Sequence, residues 1–147
     1  KSVKYKLVPQ ELEIRDKKVM IMDDSIVRGN TSREIVRMLK DFGAKEVYFA
    51  VACPPVKSPC FYGVDMPTKS ELIAGNMNEA EIENYLEVDA LLYQKIDDLV
   101  EAVTRKGDHH IDTPCMACLD GNYIANDIDD AKIAQMEAMR VNDRNGK

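Results

Sequence analysis

Residues 19–32 carry the combination of side chains best suited to chemistry in this sequence. An apolar run ends at the adjacent acids Asp23 and Asp24, and a loop with hydroxyl side chains and Gly29 follows them. Backbone N–H groups and hydroxyls at the start of a helix bind a phosphate dianion, and glycine lets the backbone approach it closely. Neighbouring carboxylates accept hydrogen bonds from vicinal ribose hydroxyls or hold a hydrated Mg²⁺ ion. The segment therefore predicts a site that holds a sugar phosphate at both ends.

The same segment has a simpler interpretation, in which the two acids form a solvated turn and the loop only begins a helix. For an arbitrary pair of aspartates that interpretation is preferred. Here an apolar strand, an acid pair, a glycine loop and a helix start follow one another in the order that a phosphate site needs. All four together are much less frequent by chance. We therefore favour the sugar phosphate site.

The elements that must position this segment follow from the apolar pattern around it. Residues 18–22 form an apolar run bounded by charged residues, which is typical of a buried strand. Residues 31–34 match a capping box, and apolar side chains at helical spacing continue to Gly43, so a helix is predicted there. Residues 46–52 are rich in β-branched and aromatic side chains and predict a second strand. This alternation indicates an α/β domain with a mostly parallel sheet.

The second half of the chain continues the alternation and then loses it. A proline-rich loop is predicted at residues 53–68, and its length suggests a functional role. Residues 107–126 are predicted to be irregular and to pack on the domain as an extension. The other predicted elements are short helices at 70–74 and 78–86 separated by Gly75, a strand at 90–93, a helix at 96–105 with Leu99, Val100 and Val103 inward, and a final helix at about 127–141.

Composition argues against two classes of partner. With 20 Lys and Arg against 26 Asp and Glu the formal net charge is −6, and no basic stretch is dense enough for nucleic acid. The longest uncharged run, residues 47–56, contains two prolines and is too short to span a membrane. Four cysteines without a secretory signal fit a reducing compartment. We therefore expect a soluble, cytoplasmic protein that binds neither nucleic acid nor membrane.

Residues 23–32 resemble the signature with which type I phosphoribosyltransferases bind phosphoribosyl pyrophosphate (PRPP). Residues 25–29, Ser-Ile-Val-Arg-Gly, resemble in particular the amidophosphoribosyltransferases of de novo purine synthesis. The likeness continues through residues 43–48, 62–67 and 71–74, so it covers nearly the whole chain. It implies a type I phosphoribosyltransferase fold, here a mostly parallel sheet flanked by helices with a carboxy-terminal helical extension. It also implies a glycosyltransferase reaction in which ammonia from glutamine displaces pyrophosphate from PRPP to give 5-phosphoribosylamine.

The resemblance implies that the acid pair positions the ribose and holds Mg²⁺, and that neither acid acts as a base. Asn30 stands where most members have threonine, and its amide can still donate to phosphate. Arg28 could pair with phosphate or brace the loop from outside, and the sequence leaves both roles open. The residues expected to bind PRPP are Asp23, Asp24, Ser25, Ile26, Val27, Arg28, Gly29, Asn30, Thr31 and Ser32.

Two cysteines, Cys115 and Cys118, have the spacing of metal ligands, but a bare Cys-x-x-Cys fits zinc, redox or iron–sulfur chemistry and also buried structural residues. One branch of the family binds a 4Fe-4S cluster through such a pair and a cysteine in a Pro-Cys-Phe-Tyr-Gly segment, here Cys60. The resemblance implies these three as ligands, with the fourth upstream, so a complete cluster is expected only in the full-length protein. Cys53 is expected to be buried at a strand end. His109–His110 is expected to be solvated.

The chain begins at Lys1 without an initiator methionine, so we expect it to be cut from a longer protein. Residues 1–106 would be the carboxy-terminal portion of a phosphoribosyltransferase domain and 107–147 a cysteine-bearing extension. The family's glutaminase domain would lie upstream in the same polypeptide, leaving this fragment inactive alone. Purine nucleotides and a homo-oligomer are the further partners implied. The alternatives are another type I phosphoribosyltransferase, which the extension disfavours, and a non-catalytic regulatory module that binds PRPP or a nucleotide.

Overall fold

The structure is a computed structural model, and it describes residues 8–105, 113–125 and 128–145. Three strands alternate with helices over the first of these ranges, and two further helices follow in the other two. In chain order the elements are α1 (Glu11–Ile14), β1 (Lys18–Asp23), α2 (Asn30–Asp41), β2 (Glu46–Val51), a 3-10 helix (Lys69–Glu71), α3 (Ile73–Asn76), α4 (Glu79–Leu86), β3 (Ala90–Tyr93), α5 (Ile96–Thr104), α6 (Ala117–Asp120) and α7 (Asp130–Asn145).

The strands form one parallel sheet in the order β1-β2-β3. Asp23 pairs with Val51, and Val51 pairs with Tyr93, so the carboxyl ends of the three strands meet at one edge of the sheet. In parallel sheets this edge is where ligands bind. The predicted strands at 18–22, 46–52 and 90–93 are confirmed within one residue at each end.

The core lies on one face of the sheet. Val47, Phe49 and Val51 of β2 alternate with less buried residues and point into this core. Helices α2 and α4 cover them with their apolar stripes, because residues three and four apart share one side of a helix. The covering side chains are Val36 and Leu39 from α2 and Ile82 and Leu86 from α4, all of them buried.

The prediction of a buried first strand is wrong for half of its side chains. Successive residues of a strand point to opposite faces, and here the described helices cover only one of those faces. Met20 and Met22 are therefore 59% and 77% exposed, and Leu92 of β3 is 50% exposed. These three residues give the second face of the sheet an apolar surface.

The start of α2 also differs from the prediction. No capping box forms at residues 31–34, because the helix already begins at Asn30 and its N-cap is Gly29. Gly29 has a left-handed backbone with φ of 75° and gives the helix no side-chain cap. Capping boxes are found instead at the start of the 3-10 helix, between Thr68 and Glu71, and at the start of α4, between Asn78 and Glu81.

Four smaller predictions need correction. Gly75 lies inside α3, and the break before α4 falls at Met77 and Asn78; a second break, at Leu72, separates the 3-10 helix from α3. On α5, Leu99 and Val100 are half-buried as predicted, but Val103 is 41% exposed. The final helix begins at Asp130, three residues later than expected, and the segment predicted to be irregular contains α6. His109–His110 lies outside the described residues.

The proline-rich loop packs against the region around α6. The backbone N–H groups of Lys57 and Ser58 both donate to the carbonyl oxygen of Cys118, at 2.9 and 3.0 Å. The Tyr123 hydroxyl donates to the Pro59 carbonyl at 2.7 Å. These bonds fasten two segments that are about 60 residues apart in the chain onto one another. Within the described ranges, none of the helices has the length and apolar character that spanning a membrane requires.

Candidate functional site

A cavity of about 360 Å³ opens at the carboxyl end of β1, where the strand passes into α2. Asp24 lies exposed beside it, and Ile26 is buried in the core with 2% of its surface exposed. The side chain of Ile26 therefore supports the loop from below. The other residues predicted for the site line the cavity: Asp23, Ser25, Val27, Arg28, Gly29, Asn30, Thr31 and Ser32.

Gly29 shapes the loop. Its φ of 75° lies in the left-handed region, which other residues rarely adopt. A Cβ atom at this position would lie 2.7 Å from Ile73 Cδ1 and 3.3 Å from Tyr85 Cε1. Glycine suits this conformation, and any other residue would have to displace the end of the Ile73 side chain. The N–H groups of the first helical turn have no acceptor within the helix, and Gly29 offers them no side-chain acceptor. They are donors suited to an anion.

The acid pair is held by short local hydrogen bonds. The backbone N–H of Asp24 donates to Oδ1 of Asp23 at 3.0 Å, and the Ser25 hydroxyl donates to Oδ1 of Asp24 at 3.1 Å. Asp23 is half-buried on the wall of the cavity, whereas Asp24 is exposed. One or two carboxylates facing a phosphate site is the usual protein contribution to a Mg²⁺ site, because substrate and water supply the remaining ligands. The residues present therefore fit Mg²⁺.

Arg28 braces the loop in this structure. Its Nε and Nη2 atoms both donate to Oε1 of Glu71, at 3.2 and 2.9 Å. The other carboxylate oxygen of Glu71 accepts from the backbone N–H and the hydroxyl of Thr68, at 3.0 and 2.9 Å. Of the two roles that the sequence leaves open for Arg28, the described contacts match the brace.

The outer side of α2 is tied to α4. Arg33 and Arg37 both donate to Oε1 of Glu87, at 2.9 and 2.6 Å, and the Arg33 guanidinium lies 4.5 Å from the centre of the Tyr85 ring. The Tyr85 hydroxyl donates to the side-chain oxygen of Asn30 at 3.1 Å. The guanidinium groups of Arg37 and then Arg33 lower the pKa of the Glu87 carboxyl. Through its hydrogen bond to Asn30, Tyr85 contacts the first residue of α2.

The cysteines lie near one another but do not form a metal site. Cys53, Cys60 and Cys118 are half-buried, and Cys115 is exposed. Burial is the main cause that raises the pKa of the Cys118 thiol, and the nearby Cys60 and Cys115 raise it further. Across the ranges that the structure describes, no three His, Cys, Asp or Glu side chains are placed to hold a metal ion. The described residues therefore do not show Cys60, Cys115 and Cys118 as a ligand set.

Sequence reasoning missed the residues that support the loop from a distance. Glu71, Ile73 and Tyr85 contact residues 28–30 from elements that lie more than 40 residues further along the chain. Only Glu71 had a signal in the sequence, because Thr68-x-x-Glu71 is a capping-box pattern. The loop itself gives no sign of which distant element packs beneath it.

Comparison with known proteins places these features in context. No family model matches the chain. The amidophosphoribosyltransferase of Methanothermobacter thermautotrophicus is 44% identical over 140 residues, which is 95% of this chain and 28% of that protein. The amidophosphoribosyltransferase of Escherichia coli K12 is 38% identical over 143 residues, which is 97% of this chain and 28% of that protein.

Two solved structures share the fold. One is the glutamine PRPP amidotransferase of B. subtilis in complex with ADP and GMP, with a TM-score of 0.72 and 36% identity over 88% of this chain and 30% of that one. The other, described as the allosteric regulatory enzyme of purine biosynthesis, has a TM-score of 0.73 and 37% identity over 86% of this chain and 27% of that one.

A parallel sheet flanked by helices, with an acid pair and a glycine loop after its first strand, makes this part of a domain of the type I phosphoribosyltransferase fold. The resemblance to amidophosphoribosyltransferases seen in the sequence is confirmed. The chain belongs to the amidophosphoribosyltransferase family. It spans little more than a quarter of the length of the curated relatives that it matches.

Proposed function

We propose that this chain binds the ribose 5-phosphate half of PRPP within an amidophosphoribosyltransferase. The observation that carries this proposal is the cavity after β1, whose wall combines Asp23, the hydroxyls of Ser25 and Thr31, and the uncapped start of α2. The reaction of the whole protein would be transfer of glutamine-derived ammonia to C1 of PRPP, with release of pyrophosphate. Its relatives carry the name of that activity.

Each group at the cavity has a role in this proposal. The N–H groups of the first turn of α2 and the hydroxyls beside them bind the 5-phosphate. Asp23 and Asp24 accept hydrogen bonds from the ribose hydroxyls, and they would hold Mg²⁺, which when bound assists the departure of pyrophosphate. Displacement at C1 with oxocarbenium character depends on positioning and exclusion of water, so none of these residues needs to act as a strong base.

The surroundings of the site are proposals of the same kind. Residues 1–106 would be the carboxy-terminal portion of the phosphoribosyltransferase domain and 107–147 its extension, with a glutaminase domain in the same polypeptide. The B. subtilis structure contains ADP and GMP, which supports purine nucleotides as further ligands. We propose a cytoplasmic homo-oligomer that is active only as the full-length protein.

A 4Fe-4S cluster in the full-length protein is a further proposal, and it rests on residue types. Cys60, Cys115 and Cys118 are the three candidate ligands, and thiolate ligation suits iron–sulfur centres. The hydrogen bonds from Lys57 and Ser58 to the Cys118 carbonyl bring their two segments together. Because the described side chains do not form a metal site, no chemical step is assigned to a cluster.

The direct test of the PRPP site is binding of ribose 5-phosphate by the full-length protein, together with the Michaelis constant for PRPP. Asp23→Asn should raise both the dissociation constant of ribose 5-phosphate and the Michaelis constant for PRPP by about tenfold or more, because it removes a charged hydrogen-bond acceptor. It should leave the basal glutaminase activity unchanged. Asp41→Asn, at the exposed end of α2, is the matched control and should change neither constant.

Two results would contradict the proposal. Equal PRPP kinetics for the wild type and for both Asp23→Asn and Asp24→Asn would show that the acid pair does not touch the ribose. Tight binding of ribose 5-phosphate without any formation of 5-phosphoribosylamine by the full-length protein would instead indicate a regulatory binding module.

A further inference from the structure

The phosphate loop, residues 24–29, is fastened to one neighbouring segment, residues 68–76. The backbone N–H of Ile73 donates to the carbonyl oxygen of Val27 at 2.9 Å. The side chain of Ile73 lies directly beneath Gly29, where a Cβ atom would come within 2.7 Å of it. Any shift of residues 68–76 would therefore move the backbone that faces the cavity.

A single carboxylate links the two segments at their other contact. Oxygen Oε1 of Glu71 accepts both hydrogen bonds from the Arg28 guanidinium, and Oε2 accepts both hydrogen bonds from Thr68. The pair is partly shielded, since the Arg28 side chain is 45% exposed and that of Glu71 is 32% exposed. Charge-assisted bonds of this kind hold geometry more firmly than neutral ones.

We propose that Glu71 is a positioning residue for the phosphate loop and acts through Arg28. This inference rests on the proposed function of the loop. With its charge matched by Glu71, the guanidinium holds the loop from outside, and the phosphate is left to the backbone N–H groups and hydroxyls of the cavity. Glu71 also forms the capping box of the 3-10 helix with Thr68. It therefore fixes the position of the loop relative to residues 68–76.

A different role for the Arg28–Glu71 ion pair predicts the opposite change in phosphate affinity. If Glu71 only occupied Arg28 until a phosphate arrived, removing its charge would free the guanidinium and tighten phosphate binding. If Glu71 positions the loop, removing its charge loosens the loop and weakens binding. The direction of the change in affinity therefore decides between them.

The test is Glu71→Gln in the full-length protein, with Glu81→Gln as the matched control. Glutamine is accepted in a capping box, so both variants can keep the helix start. Because an amide has a single acceptor oxygen, Glu71→Gln loses the charge together with the oxygen that accepts from Arg28. Glu81 has the equivalent place in the box of α4, where it accepts from the Asn78 N–H at 2.7 Å. We expect about a tenfold rise in the dissociation constant of ribose 5-phosphate for Glu71→Gln, and less than about twofold for Glu81→Gln.

The kinetics should separate positioning from loss of stability. Glu71→Gln should raise the Michaelis constant for PRPP with little change in kcat, because the phosphate is held alike in the ground and transition states. Arg28→Gln should have the same effect, and the double variant should be no worse than either single one, because the two residues act as one unit.

Four outcomes are distinguishable. Tighter binding by Glu71→Gln would overturn the positioning role, and so would equal, small effects of Glu71→Gln and Glu81→Gln. If the wild-type protein does not bind ribose 5-phosphate at all, the proposed function of the loop fails before Glu71 is tested. A selective loss in Glu71→Gln that Arg28→Gln does not add to would support the inference.

Discussion

At the scale of single residues, Gly29 determines how closely the loop packs on its own core. Its left-handed backbone turns the chain from β1 into α2, and its missing side chain leaves room for Ile73 and Tyr85. One position thus serves both the uncapped N–H groups at the start of α2, beside the cavity, and the packing on Ile73 and Tyr85. A pattern of residue types can suggest the first role, but only the folded chain shows the second.

Gly29→Ala should therefore lower the free energy of unfolding by about 1–3 kcal/mol, because alanine is strained at this φ and its Cβ meets Ile73. The measurement is urea denaturation of the full-length protein, accompanied by titration with ribose 5-phosphate. Gly63→Ala is the control, because Gly63 also has positive φ, of 111°, but nothing lies within 4 Å of its Cβ position. Equal losses in the two variants, with ribose 5-phosphate affinity retained in both, would show that the contact with Ile73 has no consequence.

At the scale of elements, α2, which follows the loop at residues 24–29, is held against α4 by charge as well as by apolar packing. Arg33 and Arg37 lie one turn apart on α2 and converge on Glu87, the C-cap of α4. Glu87 has a φ of 63°, an unfavourable left-handed conformation for a residue with a side chain, and both of its ion pairs favour keeping it there. These two ion pairs, the tie between the helices, join α2 to α4, the helix that carries Tyr85.

This tie should make stability depend on pH in a specific direction. The pKa of Glu87 is lower in the folded protein than its ordinary value of 4.5, first because of Arg37 and then because of Arg33. Its contribution is therefore fully present above the unfolded pKa and is lost as the pH falls through the folded pKa. Glu87→Gln should lower the midpoint of thermal unfolding at pH 7, and its difference from the wild type should shrink below about pH 4.5.

Exposed ion pairs contribute little to stability, so the expected change in the unfolding midpoint is small. It therefore needs a control variant with the same change in charge. Glu101→Gln on α5 removes an exposed carboxylate away from this tie and should leave the midpoint unchanged. A pH-independent difference between Glu87→Gln and the wild type would mean that the ion pairs do not contribute and that only the backbone conformation at this position matters.

Much of the fold could be predicted from the sequence at this scale, because strands and amphipathic helices follow local patterns. All three strands were predicted within a residue of their ends, and the loop between β1 and α2 was recognised from residue order alone. The helix caps were harder, since several Ser, Thr and Asn residues compete for each start and only packing selects among them. The partner of Arg28 could not be predicted, because Glu71 lies 43 residues away in the chain.

At the scale of the whole molecule, the described residues cover one face of the sheet and leave Met20, Met22 and Leu92 exposed on the other, beside the Lys18–Glu46 ion pair. The described part of the carboxy-terminal region contacts the proline-rich loop, Lys69 at the start of the 3-10 helix, and the apolar cluster around Leu72. Tyr123 lies against Phe61 and Tyr62, with ring centroids 5.2 and 6.2 Å apart, and the Ala125 N–H donates to the Tyr62 hydroxyl at 3.0 Å. The segments that carry Cys60 and Cys118 are therefore held together by contacts that need no metal.

These contacts sharpen the test for an iron–sulfur cluster. Burial raises the pKa of the Cys118 thiol, so iron would have to displace the thiol proton for Cys118 to act as a ligand. We expect iron and acid-labile sulfide in the full-length protein purified without oxygen, and their loss in Cys60→Ser and Cys118→Ser. Cys53→Ser is the matched control, because Cys53 is also half-buried with a raised pKa but is not a candidate ligand.

The same variants separate a structural cluster from cysteines that only fill space. Nothing in transferring a phosphoribosyl group to ammonia calls for an electron carrier, so a cluster would act by joining the loop at Cys60 to the region around Cys118. Loss of the cluster should then lower the thermal unfolding midpoint while the affinity for ribose 5-phosphate, set at the far end of β1, changes by less than about twofold. An active, colourless and iron-free wild-type protein, with Cys60→Ser no less stable than Cys53→Ser, would show that the aromatic and backbone contacts alone hold these segments together.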